Sequence, residues 1–161
     1  ANGGDRKKGN IKEMSVDDVT FLYSVGGDDK KNSSSWILKE WQYDYEERIW
    51  GSLYNLFKDE EIKVKELIVT SKKGMSFQRH FKRNEMWLVS KGSCVVNYSK
   101  SNPDKKNSIQ LNKFDHYLVP LGEWHQITNP FEETCHIIEI QYGKECVEED
   151  IERTEYYFPK P

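Results

Sequence analysis

From Trp36 onward the chain is cut into short apolar stretches by closely spaced turn signals, and nothing in that region sustains a helical period. Strand-like segments read at 62–70, 75–80, 85–89, 94–98, 108–111, 116–119, 125–128 and 136–142. Between them lie Lys72-Lys73-Gly74, Lys91-Gly92, Ser101-Asn102-Pro103-Asp104, Pro120-Leu121-Gly122 and Asn129-Pro130, combinations that favour turns. Many short strands at such spacing must close into a sandwich or barrel to bury their apolar faces. An all-β domain is therefore expected over 36–161.

The remaining composition narrows the class. A chain of 161 residues is one ordinary domain. Aromatic residues at 13% argue against a disordered chain. With 24 basic against 27 acidic residues the formal net charge is −3, which gives no overall attraction to nucleic acid. No apolar run approaches the ~20 residues of a membrane span. Three cysteines without a CxxC favour neither a disulfide framework nor a thiolate zinc site. With no apolar leader visible at the N-terminus, the expectation is a cytoplasmic protein.

Two segments stand apart. Residues 1–35 carry Gly3-Gly4, the basic cluster Arg6-Lys7-Lys8 and a Gly-, Asp- and Ser-rich stretch at 26–35 that reads as a linker. Residues 16–25 between them are apolar enough to pack. The segment reads as an N-terminal arm leaning on the domain or on a second subunit, with a frayed tail as the alternative. The acidic stretch 145–155 reads as a short helix or a solvated tail.

Two clusters concentrate chemistry. The first runs from Gly74 through Gln78, Arg79, His80, Lys82, Arg83 and Glu85 to Gly92; the second runs from Pro120 through Gly122 and His125 to Asn129. Strand side chains two apart share a face, so Gln78 and His80 are expected to point the same way. A turn near Arg83-Asn84 would bring Glu85 onto the neighbouring strand, and His125 would complete a set of two imidazole nitrogens and two oxygens. Such a set suits zinc, manganese, iron or cobalt. Lysines and arginines crowd the first cluster, among them Lys63, Lys65, Arg79, Lys82 and Arg83. Such a rim suits a phosphorylated ligand. His116 and His136 have no motif partner and are read as non-ligands.

These frames resemble the two cupin signatures. Gly74, His80, Glu85 and Gly92 fall at the spacing of the first, and Pro120, Gly122, His125 and Asn129 match the second. Within the cupins the chain is similar to the cupin domain of type II phosphomannose isomerases, often fused to a mannose-1-phosphate guanylyltransferase. The likeness covers 46–155. It is carried by Arg48-Ile49-Trp50-Gly51, Val64-Lys65, the run from Ser76 to Trp87, the run from Tyr117 to Pro130, Ile138-Glu139-Ile140-Gln141, and Glu149-Asp150-Ile151 with Arg153. The chain departs from the family pattern where Lys82 replaces the second histidine of the first motif. It departs again at Met86, Gln126 and Phe131.

The resemblance implies a double-stranded β-helix, or jelly-roll barrel, preceded by the arm. It implies a metal-dependent aldose–ketose isomerase for a small sugar phosphate, working through an enediolate. Gln78, His80, Glu85 and His125 would hold the metal, zinc before manganese, iron or cobalt. Lys82 or Arg83 would stabilise the developing negative charge, and Glu139 is the candidate base. Lys65 and Arg79 would contact substrate. The departures at Lys82, Met86 and Gln126 favour a non-catalytic cupin that binds a sugar or sugar nucleotide; a non-haem iron oxygenase is a further alternative. The 161 residues leave no room for a guanylyltransferase domain, so a stand-alone cupin is expected, and cupins commonly pair as homodimers.

Overall fold

A computed structural model of the chain describes Thr20 and residues 43–157. The chain divides between Gln42 and Tyr43. The expected arm at 1–35 therefore lies outside the described residues except for Thr20.

The described residues form twelve strands: β1 (Asp44–Arg48), β2 (Gly51–Lys58), β3 (Ile62–Val69), β4 (Lys73–Gly74), β5 (Phe77–Arg79), β6 (Arg83–Lys91), β7 (Cys94–Ser99), β8 (Asn107–Leu111), β9 (His116–Val119), β10 (Trp124–Asn129), β11 (Cys135–Gly143) and β12 (Glu152–Glu155). One sheet has the order β1-β2-β3-β11-β6-β9, and the other β12-β5-β10-β7-β8 with β4 also on β10. Every pairing is antiparallel. The two sheets enclose one interior, which is the cupin arrangement the sequence implies.

Alternation builds that interior. In β6 the buried residues are Arg83, Glu85, Trp87 and Val89, and in β11 they are Cys135, Ile137, Glu139 and Gln141. Register lines them up across strands. Leu53, Leu67, Ile137 and Val89 form one inward row. The next row is Asn55, Lys65, Glu139, Trp87 and Tyr117, and the one after it Lys63, Gln141, Glu85 and Val119. The interior thus grades from apolar at one end to charged at the other. The apolar end joins Val69, Val96, Leu111 and Ile127 in the main core. Each fully buried aliphatic side chain there contributes roughly 1.5–3 kcal/mol.

The second motif supplies a clasp as well as a strand. Asn129 Nδ2 donates to the Val69 and Glu133 carbonyls at 2.9 and 2.7 Å, and its Oδ1 accepts from the Phe131 amide at 3.0 Å. With no accessible surface, Asn129 ties the end of β10 to β3 and to the following turn.

Three expectations are corrected. Segment 75–80 is not one strand: β5 covers only Phe77–Arg79, and His80 lies just beyond its end. The turn falls at Phe81-Lys82, so Arg83 and Asn84 already belong to β6. Glu85 is then not on the neighbouring strand, because β6 and β5 sit in opposite sheets. Residues 145–155 form no helix; the segment turns and then adds β12 to the edge of β5.

Candidate metal centre and its pocket

His80, Glu85 and His125 converge in the charged end of the interior, each offering a ligand atom within 4.8 Å of the others. Their relative accessibilities are 2%, 1% and 1%. Three elements bring them together: the turn after β5, the second residue pair of β6, and the start of β10. His125 pairs in register with Gln78 on β5, which sets His80 near it. The two rings lie 5.1 Å apart, tilted by 44°.

Hydrogen bonding fixes both imidazole tautomers. His80 Nδ1 donates to the Asp150 carbonyl, and His125 Nδ1 donates to the Glu123 carbonyl at 2.8 Å. Each Nε2 is thereby left as a lone pair facing the cluster. His80 Nε2 is 3.2 Å from Glu85 Oε1, and His125 Nε2 is 3.6 Å from Glu85 Oε2. His125 Nε2 and Glu85 Oε2 have no hydrogen-bond partner among the described residues. Buried polar atoms are rarely left so. Two orphaned lone-pair donors beside a third, on nitrogen and oxygen, fit a borderline divalent cation such as zinc.

The electrostatics point the same way. Burial, with Arg83 nearby, lowers the His80 pKa to about 4; burial and the neighbouring His80 lower that of His125 to about 3. Both rings are neutral at neutral pH, the form that ligates. Burial pushes the Glu85 carboxyl up against the pull of Arg83.

Arg83 is buried within the cluster. Nε donates to Glu85 Oε1 at 3.1 Å, Nη2 to His80 Nε2 at 3.1 Å, and Nη1 to the Val147 carbonyl at 2.8 Å. Glu85 therefore has a guanidinium as counter-ion. Gln141 Nε2 also donates to Glu85 Oε1, at 3.3 Å, and to Glu139 Oε2 at 2.9 Å. Trp87 Nε1 donates to Glu139 Oε1 at 3.2 Å. Burial, and then the charge of Glu85, raise the Glu139 pKa to about 7.

A cavity of about 550 Å³ opens beside the cluster. Glu85, Arg83, Gln78, Glu139, Gln141, Lys65 and Glu148 line its charged part, and Trp50, Leu53, Leu67 and Met75 its apolar part. The end of β1 and its turn into β2 contribute Arg48 and Ile49, and β12 with the residue before it contributes Arg153 and Ile151. Glu85 belongs both to the cluster and to the cavity wall, so it is where a ligand in the cavity meets the candidate metal site.

The remaining expected residues separate. Gln78 lines the cavity, with Oε1 accepting from Ser76 Oγ at 2.9 Å. Lys65 and Glu139 line it too. Lys82 does not: beyond the end of β5 its side chain leaves the interior and pairs with Glu145 at 2.6 Å on the surface. Arg79 also points outward. It binds Glu152 at 2.7 Å and lies over the rings of Trp124 and Phe81, 4.5 and 4.7 Å from their centroids. The crowding of basic residues suggests a rim position for Arg79, but the period that turns Gln78 inward places it on the outer face of its sheet. His116 is exposed, and His136 pairs with Glu66 at 2.9 Å, so neither joins the cluster.

Two participants escaped the sequence reading. Asp150, taken there as part of a solvated acidic face, is buried. Its carboxylate accepts from the Phe81 and Lys82 amides at 2.9 Å each, while its carbonyl orients His80. Gln141 bridges the two buried carboxylates. Its position two residues after Glu139 on one strand was the available signal.

Comparison with known proteins places this geometry in a family. A family model described as mannose-6-phosphate isomerase C-terminal matches residues 39–156. The chain is 31% identical over 106 residues to mannose-1-phosphate guanylyltransferase 2 of Escherichia coli O157:H7, covering 66% of this chain and 21% of that protein. It is 32% identical over 108 residues to the alginate biosynthesis protein AlgA of Pseudomonas aeruginosa, covering 67% and 21%. The chain spans about a fifth of the length of these relatives. Among solved structures, the capsular polysaccharide assembling protein CapF of Staphylococcus aureus superposes with a TM-score of 0.61 at 19% identity, covering 70% of this chain and 32% of that one. The oxalate decarboxylase of Lactobacillus farciminis gives 0.57 at 14% identity, covering 69% and 33%. These likenesses carry the fold. From its strand order, its two motifs and the family match together, the chain belongs to the mannose-6-phosphate isomerase C-terminal family of cupin domains.

Proposed function

We propose that this domain is a metal-dependent aldose–ketose isomerase acting on a sugar phosphate of the mannose 6-phosphate type. The observation that carries the proposal is the pairing of two orphaned donors, His125 Nε2 and Glu85 Oε2, with a second buried carboxylate, Glu139, in the same pocket wall. A divalent ion held by His80, Glu85 and His125 would supply Lewis acidity at a carbonyl oxygen. Glu139 takes a proton from the carbon beside the carbonyl and returns it to the carbonyl carbon, while the hydroxyl proton of the first carbon passes to the former carbonyl oxygen. Its raised pKa keeps the acid and base forms close in energy near neutrality. Gln141 and Trp87 hold both Glu139 oxygens and so fix its direction. Arg83 donates to the oxygen on which enediolate charge develops. Lys65 receives the phosphate.

A second reading has its own support. Arg83 already donates to His80 Nε2, and a cation in that place lets the cluster stand without metal. The domain would then bind a sugar or sugar nucleotide without turnover. Elemental analysis of protein purified without added metal, together with conversion of mannose 6-phosphate to fructose 6-phosphate, separates the two. Bound zinc and turnover, both lost in His80→Ala, support the isomerase; sugar binding without metal supports the second reading; iron with oxygen uptake overturns both. The proposal extends to a homodimer, and a monomeric sedimentation value counts against that part alone.

A further inference from the structure

Two lysines sit side by side at the charged end of the interior, and the reaction above uses only Lys65, the one that lines the cavity. Lys63 and Lys65 alternate on β3 and share its inner face. Their side chains are 15% and 8% exposed. Both ammonium groups donate to one atom, Glu148 Oε1, at 3.4 and 3.1 Å. Glu148 is their opposite in character: its side chain is 63% exposed and it comes from the turn segment between β11 and β12. Among the described residues no other hydrogen bond holds its carboxylate.

The chain around Glu148 is pinned by contacts of its own, while its side chain is held by the two lysines alone among the described residues. Arg83 Nη1 binds the Val147 carbonyl, and the Asp150 carboxylate holds the Phe81 and Lys82 amides. The carboxylate can turn away from the lysines without moving the backbone on either side. It is also an imperfect partner. Charge-assisted N–H···O bonds are usually about 2.7–2.9 Å, and both of these are longer, with one oxygen serving two cations. A phosphate offers each lysine its own oxygen and a larger charge. Lys65 and Glu148 both line the cavity, so a ligand there reaches the exchange point. Lys65 stands opposite Glu139 in register, so the carbon chain of an anion held on these lysines runs alongside Glu139.

We propose that Lys63 and Lys65 form a phosphate subsite and that Glu148 is its resident counter-ion, displaced when a phosphorylated ligand enters. The choice of anion rests on the sugar-phosphate reading above. Two lysines side by side in a partly buried place need a negative partner at all times. Glu148 supplies it in the empty pocket and yields it on binding, so affinity for the ligand is set by a competition within the chain.

Titration calorimetry with inorganic phosphate on the full chain tests this. Glu148→Gln is expected to bind phosphate about five- to tenfold more tightly than the wild type, the effect of removing one charged competitor. Lys65→Met is expected to abolish binding in both backgrounds. Should Lys65→Met fail to fold, judged by its circular dichroism melt, Lys63→Met takes its place with a loss of at least fivefold expected. Equal or weaker binding by Glu148→Gln overturns the proposal, as does binding that survives loss of the lysine. Turnover of mannose 6-phosphate is scored separately. Tighter phosphate binding by Glu148→Gln with no turnover in the wild type leaves the subsite standing and removes the isomerase reading; turnover with unchanged phosphate affinity does the reverse.

Discussion

Nη2 of Arg83 donates to Nε2 of His80 across 3.1 Å, on the lone pair that faces the candidate metal site. The same guanidinium neutralises Glu85, so a cation entering the cluster meets an arginine already performing that task. Removing the arginine leaves a buried carboxylate without its partner, which costs about 3–5 kcal/mol in comparable pairs. Arg83→Met is therefore expected to melt well below the wild type in the presence of a chelator and to recover on addition of zinc. The rise in melting temperature caused by zinc should be larger in the variant than in the wild type. An equal rise in both would show that Arg83 and the metal do not contend for the same charge.

Lys82 stands where the family pattern has a histidine, yet its ammonium is on the surface with Glu145. Ion pairs of that kind add little to stability. Lys82→Ala should leave metal content, sugar-phosphate turnover and melting temperature unchanged within error. A loss of turnover by tenfold or more would mean that the side chain swings into the pocket during the reaction.

Burial and Glu85 raise the Glu139 pKa to about 7, so on the isomerase reading it serves as base only above that range in the metal-free site. The sign follows directly: as pH falls through the pKa the carboxylate takes up a proton and kcat/KM falls with it. A bound cation that neutralises Glu85 moves this acid limb downward. Glu139→Gln should lower kcat by ~10²–10⁴-fold with little change in KM, and should remove the limb from the pH–rate profile. A profile that keeps the limb in the variant assigns it to another group.

Two glycines with left-handed backbone make a contrasting pair. Gly92 has φ +73°, and a Cβ there would sit 2.7 Å from the Thr134 carbonyl oxygen; Gly122 has φ +78° and open space around it. Gly122→Ala should cost about 1–2 kcal/mol, the price of the backbone conformation alone. Gly92→Ala should cost more, because the clash with backbone adds to the same conformational term. Chemical denaturation of the two variants checks the order, and equal losses would contradict it.

Most strands between β3 and β11 were legible because alternation of buried and exposed residues survives in the sequence, as in β6 and β11, whereas β1, β2 and β12 were not read. The cluster of His80, Glu85 and His125 was legible as a motif. Its geometry was not, since Glu85 reaches the histidines from the opposite sheet, and sheet order is a property of the closed barrel. Lys82 shows the limit of a local rule. The period of two holds along β5 and stops with it, so a side chain two residues after His80 turns outward. Arg79 shows that a crowd of basic residues in sequence does not mark which of them face the pocket. Asp150 was hidden for another reason: in a run of acids nothing local marks the one whose oxygens will meet two backbone amides.

The grading of the interior, from the Leu53–Leu67–Ile137–Val89 row to the rows bearing Lys65, Glu139, Lys63 and Glu85, has a consequence for how such a domain tolerates change. The driving force for closure is concentrated at one pole, while the buried charged groups occupy the other. Exchanging a charge at that second pole leaves the foundation intact, so this barrel can be retuned for a new guest without being rebuilt.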